Sequence, residues 1–371
     1  MNVLILHASA GAGHRRAAEA LAPAFESAGA TVTIRDMLEF TSVLFRKTYA
    51  EGYLRIVSRI PELWGYMYSR SDRKAAKPWR KRVRTVFNKL NVARFFRFYD
   101  RLAPDVTVCT HFMPVEVLAA RRKQRQRVSP FFCVVTDFAV HGLWLAEGVD
   151  AYYVATEEAV RQLERKGQPP DRIVLTGIPI APQFRHSCQA ADARRMLGLN
   201  PDLPTVLSLS GGFGVGPALK LVQAFAGADF PCQLLVVAVS NPALAARLER
   251  AAAAARCPIK VFGFVRNIHE LMDAADIVIS KPGGLTASEV MAKERPLVVV
   301  DPIPGQEQIN CEYLLEAGAA VRLFEIEDAP YKIRSLLSDP ARLAAMGAAA
   351  RRVARPHAAE DIAADVLRRI A

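Results

Sequence analysis

The chain opens with an unbroken apolar strand, Asn2-Val3-Leu4-Ile5-Leu6-His7, and turns through Ala10-Gly11-Ala12-Gly13-His14 into a helical pattern reaching about residue 28. A second strand follows at 31–35. Strand and helix periods therefore alternate from the start, which commits the chain to a βαβ opening, two parallel strands bridged by a helix.

The alternation returns with strands at 106–109, 131–135 and 151–154. Gly177-Ile178-Pro179-Ile180-Ala181-Pro182 then interrupts it, because proline disfavours both helix and ladder continuation. A second series has strands at 205–209, 233–239, 259–262, 277–279 and 297–300, with helices at 217–228, 242–255, 285–293 and 308–317. The tail over 340–371 reads as helical and is expected to pack back on the first domain. A chain of 371 residues suits two domains. The expected fold class is α/β, two Rossmann-like domains facing a cleft: 1–180, then 181–350, with a closing helix over 351–371.

One segment breaks the pattern. Between Arg46 and Arg101 sixteen basic residues stand against four acidic ones, which accounts for the whole formal net charge of +12. The segment reads as helical on both sides of Pro61 and interleaves Trp64, Trp79 and other aromatics with Arg80, Lys81, Arg82 and Arg84. Cationic amphipathic helices with interfacial Trp and Tyr suit an anionic bilayer, where each basic residue adds about 1 kcal/mol. An RNA-binding arm would use the same mixture, but no nucleic-acid module is legible, so an anionic membrane surface is the expected partner and nucleic acid is not. No apolar run approaches the ~20 residues of a spanning helix, and the opening strand lacks a basic n-region, so a cytoplasmic protein peripheral to the inner membrane face is expected. The six cysteines are scattered without a Cys-x-x-Cys pair, which argues against a zinc site or a disulfide scaffold.

Three glycine clusters sit where a strand ends and a helix begins: Gly11-Ala12-Gly13-His14, Gly211-Gly212-Phe213-Gly214-Val215-Gly216 and Lys281-Pro282-Gly283-Gly284-Leu285-Thr286. Backbone N–H groups at such helix starts suit an anion. The chain has no Walker loop and no Asp-x-Asp, so helix amides, rather than a bound cation, would stabilise a diphosphate, and no metal or other cofactor is expected. Glu289, one turn into the third helix, suits the two hydroxyls of a ribose; the plain alternative is a solvated i,i+4 pair with Lys293. Pro302-Ile303-Pro304-Gly305-Gln306-Glu307-Gln308-Ile309-Asn310 presents amides and a carboxylate that suit vicinal sugar hydroxyls, against the alternative of an ordinary capped helix. His14, at the end of a glycine turn, reads as a general base with a pKa near the usual 6–7.

Together these motifs resemble the monogalactosyldiacylglycerol synthases and bacterial processive diacylglycerol glucosyltransferases of glycosyltransferase family 28. They resemble more distantly the lipid II-forming N-acetylglucosaminyltransferase of peptidoglycan synthesis. The resemblance rests on Ser9-Ala10-Gly11-Ala12-Gly13-His14, Val135-Thr136-Asp137-Phe138 with His141 and Trp144, Lys281 to Glu289, and Pro302 to Asn310, and spans about residues 7–318. It implies a glycosyltransferase B fold and a metal-independent inverting transfer of a hexose, glucose before galactose, from a UDP-sugar to diacylglycerol or a glycosyl-diacylglycerol. On the donor side it implies Phe262, Gly263 and Phe264 around the uracil and Glu289 on the ribose. Gly212, Phe213, Gly214, Gly284, Leu285 and Thr286 would hold the diphosphate, with Gln306 and Glu307 on the sugar. On the acceptor side it implies His14 as base, Asp137 and His141 orienting the acceptor or assisting the base, His111 and Pro114 lining the lipid pocket, and Gly13 beside the acceptor. The rival readings are a UDP-sugar 2-epimerase, which shares this fold, and a basic lipid- or RNA-binding protein without catalysis.

If the basic segment docks on anionic lipid, co-sedimentation with vesicles should rise with phosphatidylglycerol content and weaken with sodium chloride, since screening sets in over about 10 Å at 0.1 M salt. Neutralising Arg80, Lys81, Arg82 and Arg84 together should reduce sedimentation, and equal binding to neutral vesicles at every salt concentration would contradict it.

Overall fold

The computed structural model describes residues 1–9, 11–42, 65, 91–209, 218–238 and 242–371. Trp64, Trp79, Arg80, Lys81, Arg82 and Arg84 of the basic segment, and Gly212, Phe213 and Gly214 of the second glycine cluster, lie outside the described residues.

The elements begin with β1 (Asn2–His7), α1 (Ala12–Ser27), β2 (Thr31–Asp36), α2 (Asn91–Leu102), β3 (Val106–Cys109), α3 (Phe112–Lys123) and β4 (Phe131–Val134). β5 (Ala151–Val154), α4 (Glu157–Arg165), β6 (Ile173–Leu175), α5 (Ala190–Met196), β7 (Thr205–Leu209), α6 (Ala218–Ala226), β8 (Gln233–Val237) and α7 (Pro242–Ala253) follow. Then come β9 (Ile259–Phe262), α8 (Ile268–Ala274), β10 (Ile277–Ser280), α9 (Gly284–Ala292), β11 (Leu297–Val299) and α10 (Gln306–Glu316). The chain closes with β12 (Ala320–Arg322), α11 (Ala329–Leu337), α12 (Pro340–Val353) and α13 (Ala358–Ile370). Two compact units result: Met1–Ala181 with Ile303–Ile309 and Arg355–Ala371, and Pro182–Pro302 with Asn310–Ala354.

The first unit is a parallel sheet in the order β2-β1-β3-β4-β5-β6. Its inner strands are apolar on both faces, as a sheet covered by helices on both sides requires. Along β1, Leu4 and Leu6 enter the cluster under α2, α3 and α4, while Val3 and Ile5 enter the one under α1 and α13. The same alternation runs through Phe131/Phe132 and Tyr152/Tyr153, the period of two expected of a strand. α1 answers with Ala17, Ala18, Leu21 and Phe25, a stripe at helical spacing.

α13 returns from the far end of the chain to lie on α1 and the sheet. Buried Tyr153 donates its hydroxyl to Asp365 Oδ2 at 2.9 Å, and Arg369 Nε donates to the same oxygen at 2.6 Å. The second unit is also parallel, in the order β12-β11-β10-β7-β8-β9.

Each order reverses direction once. In the first unit β1 is flanked by β2 and β3; in the second, β7 is flanked by β8 and β10. Loops at such a switch point diverge to opposite faces of the sheet and leave a crevice at the carboxyl ends of the strands, where open α/β sheets bind ligands.

Gly177 (φ +97°) lies against the start of α13, where an added Cβ would overlap the Arg355 side chain and come within 3.2 Å of Ala358 Cβ. Gly167 has a similar φ of +85° but open space around it. Gly177→Ala should therefore destabilise by about 1–3 kcal/mol more than Gly167→Ala, the cost of overpacking in addition to left-handed strain. Denaturant unfolding of both variants measures the difference, and equal losses would contradict the close approach.

Candidate active site

The loops leaving the carboxyl ends of β1, β3 and β4 meet at His14, in the first turn of α1. His14 Nδ1 lies 2.9 Å from the carbonyl oxygen of Thr110 and 2.9 Å from Thr136 Oγ1, and Thr110 Oγ1 donates back to the His14 carbonyl at 2.8 Å. A carbonyl has no proton to give, so the Nδ1 hydrogen is present and is shared between the two oxygens. In the neutral ring Nε2 then carries the lone pair.

The surroundings keep that ring neutral. The His111 ring meets His14 edge-on at a centroid distance of 4.6 Å, and the Trp144 ring lies 6.1 Å away. Burial lowers the His14 pKa to about 4, against the Thr110 hydrogen bond that raises it, with His7 lowering it further. The pKa near 6–7 read from the sequence is therefore corrected downward, although part of the residue remains open to solvent. Burial also lowers His111 well below the usual imidazole value, and it lowers His7 despite the opposing charge of Asp36.

The other residues expected on the acceptor side take distinct places. Gly13 occupies the first turn of α1 beside His14. His111 is the N-cap of α3, its Nδ1 accepting from the Met113 N–H at 3.0 Å. His141 caps the 3-10 turn Gly142–Trp144 in the same manner, accepting from the Leu143 N–H at 3.1 Å. Both rings are buried, so both hold loops in shape near the site. Asp137 is also buried and accepts from Gln306 Nε2 at 2.6 Å, within the first unit.

In the second unit α9 starts at the carboxyl end of β10. Gly283 caps it in an extended conformation with no side-chain acceptor, so the first-turn amides of Gly284, Leu285 and Thr286 have no intrahelical partner. Glu289 is 3% exposed and Lys293 1%, and Lys293 Nζ donates to Asp273 Oδ2 at 2.9 Å and to the His186 carbonyl. The solvated Glu289–Lys293 pair is thereby excluded. β9 ends at Phe262, whose carbonyl accepts from the Ala238 N–H at 2.8 Å, while Gly263 and Phe264 are exposed. At the start of α10, Glu307 Oε2 accepts from the Ile303 N–H at 2.9 Å, and buried Asn310 Nδ2 donates to the Pro282 carbonyl at 3.0 Å. Part of that polar cluster is therefore capping.

Sequence reasoning gave no role to Thr110 and Thr136, which hold the His14 ring, or to the buried His7. Each ends or closely follows an apolar strand at the sheet's carboxyl edge, and that position is the signal that could have found them.

Two parallel sheets with these strand orders are the glycosyltransferase B fold. The Acinetobacter baumannii MurG structure covers 99% of this chain and 99% of its own at a TM-score of 0.67 and 15% identity. A Neisseria meningitidis UDP-GlcNAc 2-epimerase covers 99% and 100% at 0.62 and 13%. A calicheamicin glycosyltransferase structure, CalG4, also matches, at a TM-score of 0.61 and 14% identity, so proteins named glycosyltransferase and epimerase share the fold. The monogalactosyldiacylglycerol (MGDG) synthase model matches residues 14–180, and the model for glycosyl transferases group 1 matches 198–353. A processive diacylglycerol beta-glucosyltransferase of Bacillus subtilis is 31% identical over 367 residues, 99% of this chain and 94% of that protein. The Bacillus licheniformis protein of the same name is 29% identical with the same coverage. The chain belongs to this family of diacylglycerol glycosyltransferases.

His14→Ala should lower kcat by about 10²–10⁴-fold with UDP affinity nearly unchanged. Because the imidazole stays neutral until about pH 4, kcat/KM should not fall with a midpoint near 6.5 as the medium is acidified. Stability follows a different course. Below about pH 6.5 the unfolded chain binds protons that buried His7, His14 and His111 refuse, so unfolding free energy should decrease as pH falls from about 6.5 toward 4. Turnover and denaturation midpoints measured across that range separate the two effects.

Proposed function

We propose that the protein transfers a hexose, glucose in first place, from a UDP-sugar to the free hydroxyl of diacylglycerol at a membrane surface, with inversion at the anomeric carbon. The observation that carries the reading is the His14 ring, held neutral with Nδ1–H on the Thr110 carbonyl and its basic Nε2 at the switch point of the first sheet. Full-length relatives named processive diacylglycerol beta-glucosyltransferase support the lipid acceptor and the glucosyl group.

In the reaction, the lipid hydroxyl oxygen forms a bond to the anomeric carbon while the bond from that carbon to the UDP oxygen breaks. His14 Nε2 takes the hydroxyl proton, and the Thr110 carbonyl stabilises the resulting imidazolium through Nδ1–H. A β-glucoside formed from an α-linked UDP-glucose is the product of one such displacement. The developing charge on UDP is met by the first-turn amides of α9, an arrangement that operates without a divalent cation. Buried Glu289, further along the same helix, accepts from the ribose hydroxyls.

No helix among the described residues is long and apolar enough to cross a membrane. Peripheral docking through the basic aromatic segment would bring the enzyme to an acceptor that leaves the bilayer only at high cost.

Thin-layer analysis of lipid products, with UDP-glucose and UDP-galactose offered separately on diacylglycerol vesicles, tests the reading. A glucosyl-diacylglycerol is the expected product; UDP release that does not depend on the lipid, or epimerisation of the free nucleotide sugar, would contradict it. Activity should survive excess EDTA, and complete loss restored by magnesium would overturn the account of the diphosphate.

A further inference from the structure

Thr136 and Asp137 follow β4 side by side and reach different partners. Thr136 Oγ1 meets the base, 2.9 Å from His14 Nδ1, whereas Asp137 Oδ1 accepts from Gln306 Nε2 at 2.6 Å. Asp137 is 4% exposed, and Gln306 is half-buried at the first turn of α10.

A primary amide offers two donors on one end and an acceptor on the other, and nothing intrinsic prevents it from turning over. A carboxylate oxygen accepts from Nε2 and repels Oε1, so a 2.6 Å bond to Asp137 selects one orientation. We propose that Asp137 is a positioning residue for Gln306, fixing the amide so that Oε1 accepts from a hydroxyl of the transferred sugar. The proposal rests on the reading of Gln306 as a donor-sugar contact. It gives Asp137 a place in donor recognition instead of proton transfer. One strand end then sets both the base, through Thr136, and the sugar reader, through Asp137.

A fixed acceptor favours the sugar whose hydroxyl points at it. With Asp137→Asn the new side chain offers Gln306 either an amide or a carbonyl, and the selected orientation is lost. Loss of one such hydrogen bond corresponds to about a tenfold change.

Steady-state kinetics with UDP-glucose and UDP-galactose on diacylglycerol vesicles test this for Asp137→Asn, Gln306→Met and the double variant. Each single variant should raise KM for the preferred donor about tenfold and narrow the preference between the two sugars, with the pH profile of kcat unchanged. The double variant should be no worse than either single one, because both remove the same interaction. Additive losses would overturn the proposal. So would an Asp137→Asn variant that shifts the pH profile at unchanged KM, since Asp137 would then act on the base. If Asp137→Asn fails to fold, Gln306→Glu serves instead. It sets a second carboxylate against Asp137 and should raise KM more than Gln306→Met, and an equal or smaller rise would overturn the proposal. Absence of transfer from either UDP-sugar by the unaltered protein would instead refute the glycosyltransferase reading itself.

Discussion

The hydrogen bond between His14 Nδ1 and the Thr110 carbonyl ties the chemistry of the first unit to its topology. The carbonyl stands just beyond β3, and the imidazole stands at the start of the helix that follows β1. Those two strands are neighbours only because the sheet order reverses there. Without that adjacency the Thr110 carbonyl would not reach Nδ1. Burial then keeps the ring uncharged, and the same carbonyl offers support once a proton arrives. At neutral pH such an imidazole is present in its unprotonated form, and for the proposed base the lowered pKa costs driving force that the Thr110 carbonyl, which raises it, partly restores.

The second unit meets a different demand with the same architectural rule. Its switch lies between β7 and β10, and the described half presents uncapped amides of α9 there. Lys293, at the far end of that helix, is committed to Asp273 and the His186 carbonyl. This buried pairing holds the helix and takes Lys293 out of a solvated pair with Glu289.

Much of the fold was legible because strands covered on both faces leave apolar runs, and the runs at 106–109, 151–154, 205–209 and 259–262 fall on β3, β5, β7 and β9. β6 and β12, three residues each, were not read, whereas β11, equally short, was read from the apolar run 297–300 that contains it. His14 and Glu289 could be singled out from motif position. Their environments could not: the pKa of His14 depends on its burial, on the Thr110 carbonyl 96 positions away and on His7 at the end of β1. The capping bonds of His111 and His141 were equally invisible, because a residue type that can bind a ligand can also cap a helix, and for Glu307 the capped helix stood only as the alternative to a sugar contact. Asp137 and Gln306 are 169 positions apart, and only folding brings them within hydrogen-bond reach.

The most direct test of the base is the nitrogen spectrum of the His14 imidazole in protein labelled with ¹⁵N at histidine, assigned by comparison with His14→Gln. At pH 7 the ring should be neutral with its hydrogen on Nδ1 and Nε2 unprotonated, and it should not titrate near 6.5. A ring protonated at Nε2, or one that takes up a proton with a midpoint near 6.5, would contradict the assignment of Nε2 as the base.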